Sequence, residues 1–244
     1  MRADERAAAL WRLPLKETAA LIMSGRVRLD GVPVGKPGDE VTPDAALTLL
    51  EKPKRFASRS GYKLEYALDT FGIDVAGRTV CDIGASNGGF TDCLLQRGAA
   101  RVHAVDVAYG ILAWELRQDA RVHVLERCNA RYLTADMIGE TADMVTADVS
   151  FISLKKIFPA MTRVLRGSGE AVCLIKPQFE AARRELTKNG MLRDEAVLPG
   201  LFEELAAAAA QQGLVKTRLV RSPMEGSHGN IEYLMRLIKM SSEP

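Results

Sequence analysis

The segment from Thr79 to Phe90, TVCDIGASNGGF, constrains this chain more than any other. An apolar run ends at Asp82, turns through Gly84, Gly88 and Gly89, and opens into TDCLLQRG, whose apolar spacing predicts a helix. Strand, tight loop, helix is the order in which α/β chains build a nucleotide pocket. Glycines let the backbone approach the ligand, and free N–H groups at the helix start face a negative group. Asp106, 24 residues beyond Asp82 at the end of the alternation RVHAVDV, is placed to accept from ribose hydroxyls. A dinucleotide fingerprint would require glycine at 84, 86 and 89, but Ser86 stands in the middle, where a pyrophosphate must come closest. S-adenosylmethionine has no pyrophosphate, so the loop favours a methyl donor over a dinucleotide. The alternative is a glycine-rich turn that holds no ligand.

With 244 residues the chain has room for one large α/β domain and a small accessory module. A formal net charge of +2 is too small to imply a polyanion partner, so its distribution matters more than its sum. Lys52, Lys54, Arg55, Arg59 and Lys63 form a local basic patch with no acidic residue among them. Cys81, Cys93, Cys128 and Cys173 are widely spaced and only three histidines accompany them, which argues against a metal site and a disulfide framework. No uncharged apolar run approaches the roughly 18 to 20 residues that cross a bilayer, and the first residues lack a signal-peptide core. The expectation is a cytoplasmic protein.

Residues 1–51 read as a unit of their own. ERAAALWRL and KETAALIMSG have helical spacing, the second ending at Gly25, and RVRLDGVPVGKPGDEV reads as short strands joined by turns. Two helices, a basic Gly25-Arg26-Val27-Arg28 and a small sheet resemble the S4-like RNA-binding domain. In that family the second helix usually begins with Ser-Arg, whereas Leu15-Lys16 stands here, so the charge survives without a bidentate phosphate grip. The resemblance implies RNA contacts at Lys16, Arg26 and Arg28, joined by Lys54, Arg55 and Arg59 of a basic linker over residues 52–60. The alternative is a capping module with a solvated charged face.

From residue 61 to 244 strands and helices alternate. TVCDIGA, RVHAVDVA, RVHVLER, DMVTADVS and EAVCLIKP are apolar runs bounded by turn residues, the pattern of a parallel sheet covered on both faces. LPGLFEELAAAAAQQG predicts a helix, and LVKTRLVRSP and NIEYLMRLIK predict two adjacent antiparallel strands. A doubly wound sheet closing with an antiparallel strand is the methyltransferase variant of the Rossmann fold. His103 and His123 fall on predicted strands and read as structural, and Asp143 reads as a turn residue ahead of its strand.

Ligands of open α/β sheets sit beyond the carboxyl ends of the strands. The polar residues there are Asp148 after MVTA, Lys176 after AVCLI and Glu232 within the last apolar run; Lys63, in SRSGYKL, enters from the linker. Two lysines and two carboxylates could thus converge beside the methyl donor. Methyl transfer to a ribose 2′-hydroxyl needs an in-line oxygen and a base for its proton. A lysine serves as that base once a neighbouring ammonium in a desolvated pocket lowers its pKa. Taken singly, Asp148 could instead cap a helix and Lys176 could be a solvated strand end.

SRSGYKL, DIGASNGGFTDCLLQRGA, ADVSFISL, LIKPQFE and SPMEGSHGNIEYL resemble, in order, the motifs of the TlyA family. These are ribosomal RNA 2′-O-methyltransferases with an S4-like amino-terminal domain and an FtsJ-like catalytic domain, often called hemolysins. The resemblance implies S-adenosylmethionine as cofactor, ribosomal RNA or ribosomal subunits as partner, cytidine as the target nucleotide, and a tetrad of Lys63, Asp148, Lys176 and Glu232. Lys176 would be the base or hydroxyl activator, Lys63 and Asp148 would tune it, and Glu232 would orient the ribose or a lysine. Asp82 and Gly84 would shape the methionine end of the donor pocket, with Ser86, Gly88, Gly89 and Phe90 around it, Asp106 at the ribose and Asn129 at the adenine edge. The family usually has proline and a basic residue where Ser227 and His228 stand, and His228 is either an RNA contact or a solvated loop residue. Two other functional classes remain at this stage: an RNA-binding assembly factor without turnover, and a membrane-active hemolysin.

Overall fold

The computed structural model describes residues 1–50, 55–226 and 229–240. The chain divides into two compact units, Met1–Arg55 and Phe56–Pro244. Phe56 is buried in the core of the second unit, so residues 56–60 of the expected linker lie on that side of the division.

In the first unit, α1 (Ala3–Trp11) and α2 (Leu15–Met23) pack on a small antiparallel sheet. Its strands β1 (Val27–Leu29), β2 (Val32–Pro33) and β3 (Leu47–Leu49) run in the order β2-β1-β3. Ala3, Ala7, Leu21, Ile22, Val27, Val34 and Leu47 form its core. The short side chains of Ala3 and Ala7 let the backbone of α1 come close. Asp4 is buried there and gripped by both ends of the Arg2 guanidinium fork at 3.0 and 2.7 Å, which satisfies the charge that burial would otherwise leave bare.

The second unit starts with α3 (Ser60–Phe71), followed by β4 (Thr79–Ile83), α4 (Gly89–Gln96), β5 (Arg101–Val105), α5 (Trp114–Arg117) and β6 (Val122–Leu125). It continues with α6 (Ala135–Ile138), β7 (Ala142–Ala147), α7 (Phe158–Val164), β8 (Leu165–Ile175), α8 (Pro177–Glu180), α9 (Leu198–Ala210), β9 (Leu214–Arg221) and β10 (Tyr233–Lys239). Among the described residues its sheet has seven strands in the order β6-β5-β4-β7-β8-β10-β9. β4 to β8 pair in parallel, and β10 runs antiparallel to both of its neighbours.

Side chains alternate across this sheet, so each strand feeds two cores. Val80, Val102, Met144, Val172, Leu174 and Leu234 face α3 and α4, while Cys81, Val145, Cys173, Ile175 and Met235 face α7 and α9. Burial on both faces is why these strands read as continuous apolar runs. All four cysteines are free and buried. His103 and His123 lie side by side on β5 and β6, their Nδ1 atoms 3.0 Å apart, and His103 Nε2 meets Glu140 at 3.0 Å. Asp143 differs from expectation. It lies inside β7, where it accepts the Thr79 N–H at 2.8 Å and pairs with Arg166 at 2.7 Å, so its carboxylate satisfies the first N–H of the neighbouring β4 instead of closing a turn.

Candidate active site

The crossing from β4 to α4 sets the geometry of the site. Gly84, at the end of β4, adopts φ +82°, and a Cβ there would fall 2.4 Å from the carbonyl oxygen of Asp148. Only glycine lets the ends of β4 and β7 approach this closely, which draws Asp148 to the loop. Gly89 plays the same part at the start of α4, where a Cβ would fall within 2.2 Å of the hydroxyls of Ser58 and Ser60. It admits the segment before α3, and with it Lys63. Gly88 caps α4 from the left-handed region.

Two cavities open along the carboxyl ends of the strands. The first, about 280 Å³, is lined by Gly84, Ser86, Asp106 and Asn129 on its polar side and by Val107, Ile111, Val149, Phe151, Ile152 and Ile157 on its apolar side. The Asp106 carboxylate accepts the N–H groups of Ser86 and Ala108, each at 2.8 Å. These bonds fix the loop and leave lone pairs on both oxygens for hydroxyl donors. Asn129 Oδ1 accepts from Arg131 N–H at 3.2 Å, so its amide is held at the cavity wall.

Asp82 lines neither cavity. It is fully buried, where it accepts from the hydroxyls of Thr91 at 2.7 Å and Thr146 at 2.8 Å. Burial pushes its carboxyl up to about 6, against the opposing pull of those two hydroxyls. Asp82 thereby ties β4 to α4 and β7 from within, and shapes the donor loop from behind.

The second cavity, about 320 Å³, brings Lys63, Asp148, Lys176 and Glu232 together. Arg59 and Phe90 also line it, and it shares Gly84, Ser86 and Asp148 with the first cavity. Lys63 donates to Glu232 in an ion pair whose two side chains are only 6% and 3% exposed. Lys176 Nζ lies 2.7 Å from Asp148 Oδ1 and donates to Ser150 Oγ at 2.7 Å. Each lysine is matched to its own carboxylate, so the cluster is close to neutral as a whole.

Of the residues expected to touch RNA, Lys16, Arg55 and Arg59 are exposed, while Arg28 is partly buried and donates to Gly31 O at 3.0 Å. Arg26 is half-buried. Lys52, Lys54, Ser227 and His228 lie outside the described residues. Sequence reasoning missed the apolar wall of the first cavity and the hydroxyl of Ser150. Ser150 and Phe151 stand two and three residues after Asp148, and Phe151 is 92% exposed at a positive φ of 62°. A serine and a phenylalanine within three residues of the polar strand end Asp148 were the available signal.

A mixed sheet with one inserted antiparallel strand, and a glycine-flanked cavity at its carboxyl edge, define the class of Rossmann-like methyltransferases. The sequence profile of the FtsJ-like methyltransferase family matches residues 56–239. The 16S/23S rRNA (cytidine-2′-O)-methyltransferase TlyA of Mycobacterium tuberculosis is 44% identical over 91% of this chain and 83% of its own length. A solved structure described as a hemolysin from Streptococcus thermophilus is 39% identical, with TM-score 0.76 over 100% of this chain and 90% of that one. An S-adenosylmethionine-dependent methyltransferase from Listeria monocytogenes, 14% identical, covers 75% of this chain and 99% of its own with TM-score 0.56, a likeness of fold alone. The chain belongs to the FtsJ-like methyltransferases and, within them, to the TlyA family. Among the described residues no helix is long and apolar enough to cross a membrane.

Proposed function

We propose that the protein methylates a ribose 2′-hydroxyl in ribosomal RNA, with S-adenosylmethionine as donor. The observation that carries this reading is the 320 Å³ cavity in which Lys63, Asp148, Lys176 and Glu232 meet, adjoining the first cavity through Gly84, Ser86 and Asp148. The first cavity fits an adenosine: an acidic acceptor for ribose hydroxyls, an amide, and an apolar slot. When bound, the donor supplies an electrophilic methyl carbon on a sulfonium. Gly84 and Ser86 lie between the two cavities, where that carbon would have to face the acceptor.

Lys176 Nζ donates to Ser150 Oγ at 2.7 Å and lies 2.7 Å from Asp148 Oδ1, a buried oxygen that accepts no hydrogen bond among the described residues, so donor positions on Nζ remain for the acceptor hydroxyl. As the oxygen–carbon bond forms, the 2′-proton must leave. The Asp148–Lys176 pair serves this need: as Nζ takes the proton of the ribose hydroxyl it passes one of its own to Asp148 Oδ1, so the proton ends on the carboxylate and the ammonium is restored. Lys63 and Glu232 line the same cavity, where their buried pair gives the ribose a fixed donor and acceptor. The first unit, with exposed Lys16 on α2, Arg26 just before β1 and Arg28 within it, is assigned to docking on structured RNA through phosphate contacts. Tritiated methyl transfer to purified ribosomal subunits tests the reading; no transfer by the wild type would overturn it.

A further inference from the structure

The residues that follow Lys176 tie it to the stretch of chain that carries its partners. Lys176 caps α8, whose single turn is closed by the Phe179 N–H on Lys176 O and the Ala181 N–H on Pro177 O, both at 2.8 Å. Glu180 is thus carried as a stiff extension of the Lys176 backbone. Its carboxylate crosses to the segment after β7, where Ser153 Oγ donates to Oε2 at 2.5 Å and the Leu154 N–H donates to Oε1 at 2.8 Å. The rings of Phe179 and Phe151, 5.1 Å apart, make a second contact between the same two stretches.

The segment so gripped is held at its start by the Asp148 N–H on Ile83 O at 2.9 Å and at its end by Leu154, which is buried. Between these points Asp148 and Ser150 each bring an oxygen 2.7 Å from Lys176 Nζ. Val149, Phe151 and Ile152 of the same stretch form part of the apolar wall of the donor cavity. Phe151 holds a positive φ of 62°, a conformation that persists only where the surroundings impose it. Glu180 itself lines neither the donor cavity nor the catalytic one. Its bonds come from a hydroxyl and a backbone N–H, and burial pushes its carboxyl above the ordinary range against the pull of both. A half-buried carboxylate on neutral partners is a poor source of stability, which leaves geometry as its service.

We propose that Glu180 is a positioning residue for methyl transfer: it clamps residues 148–154 to the helix that follows Lys176, and so sets how Asp148 and Ser150 hold Nζ towards the acceptor hydroxyl. The inference rests on the ribose-methylation reading and extends it to a side chain outside both cavities. Misplacing a reacting group by about 1 Å costs on the order of 10²-fold in rate. Loss of both Glu180 bonds releases the far end of the segment that carries two of the groups around Nζ.

The test measures kcat and KM on unmodified ribosomal subunits with the full chain, in variants whose folding is checked by urea denaturation. Glu180→Ala should lower kcat roughly ten- to hundredfold and leave KM for the subunits within about threefold, because Glu180 lies outside the catalytic cavity. Glu180→Gln keeps an oxygen for the Leu154 N–H and an amide for Ser153 Oγ, and should hold kcat within about fivefold of wild type. In a Ser150→Ala background the further loss from Glu180→Ala should be smaller than in the wild type, since the clamp acts partly through Ser150. If Glu180→Ala does not fold, Ser153→Ala decides: it removes one of the two bonds and should lower kcat about three- to tenfold. A folded Glu180→Ala or Ser153→Ala with wild-type kcat overturns this inference alone, as does a Glu180→Gln as slow as Glu180→Ala. Absence of methyl transfer by the wild type overturns the ribose reading and this inference with it.

Discussion

Lys63 and Glu232 stand 169 residues apart in the chain and form an ion pair all but closed to solvent. Such a pair is costly to break and cheap to replace as a whole. Glu232→Ala leaves the Lys63 ammonium buried and unmatched, and is expected to cost about 3–5 kcal/mol in chemical denaturation. Replacing both residues, as Lys63→Met with Glu232→Leu, should return most of that stability while methyl transfer stays lost. Recovery of activity in the double variant would show that the pair is structural only.

Gly84→Ala combines a positive φ with a Cβ placed 2.4 Å from Asp148 O. The expected cost is about 2–4 kcal/mol, the left-handed penalty plus overpacking. Calorimetry should also show weaker S-adenosylmethionine binding, since Asp148 and Gly84 line the donor cavity together. Gly190→Ala is the control: its φ is +77° with nothing near the added carbon, so it should pay only the backbone term and bind the donor as the wild type does.

Asp82 predicts an unusual pH dependence. In the native state its carboxyl keeps a proton up to about pH 6, whereas the unfolded chain releases it near the ordinary value of 3.8. Across that window the native state binds more protons, so unfolding becomes easier as pH rises, and the penalty persists above pH 6. Asp82→Asn removes the ionisation. Measured by urea denaturation, the variant should gain about 2–3 kcal/mol on wild type between pH 4 and pH 7. A difference that does not vary with pH would refute the cause given.

How much of this was legible beforehand follows from how local each signal is. The turn at Gly84, the acid at Asp106 and the polar ends of β7 and β8 could be read because a buried parallel strand writes itself as an apolar run with a polar stop. The final antiparallel pair was legible from two apolar runs joined by the short loop MEGSHG. The location of Asp82 was not: its partners are Thr91 and Thr146, and the second lies 64 residues away on another strand. Nothing in DIGAS distinguishes a carboxylate facing a ligand from one facing two threonines. Likewise the partnering of Lys63 with Glu232 and of Lys176 with Asp148 depends on strand order, which places β7 and β10 on either side of β8. The four residues were nameable from sequence, but not their pairing.

The central claim is that Lys176 and Asp148 move the proton of a ribose hydroxyl. The direct measurement digests ribosomal RNA after incubation of unmodified subunits with S-adenosylmethionine and either wild type or Lys176→Ala, and quantifies 2′-O-methyl nucleosides by mass spectrometry. Wild type should yield a 2′-O-methyl nucleoside, and Lys176→Ala should fall by roughly 10²- to 10⁴-fold, the usual contribution of a positioned proton acceptor, with donor binding retained. Full activity in Lys176→Ala, or a methyl group found on a base instead of the ribose, would contradict the account.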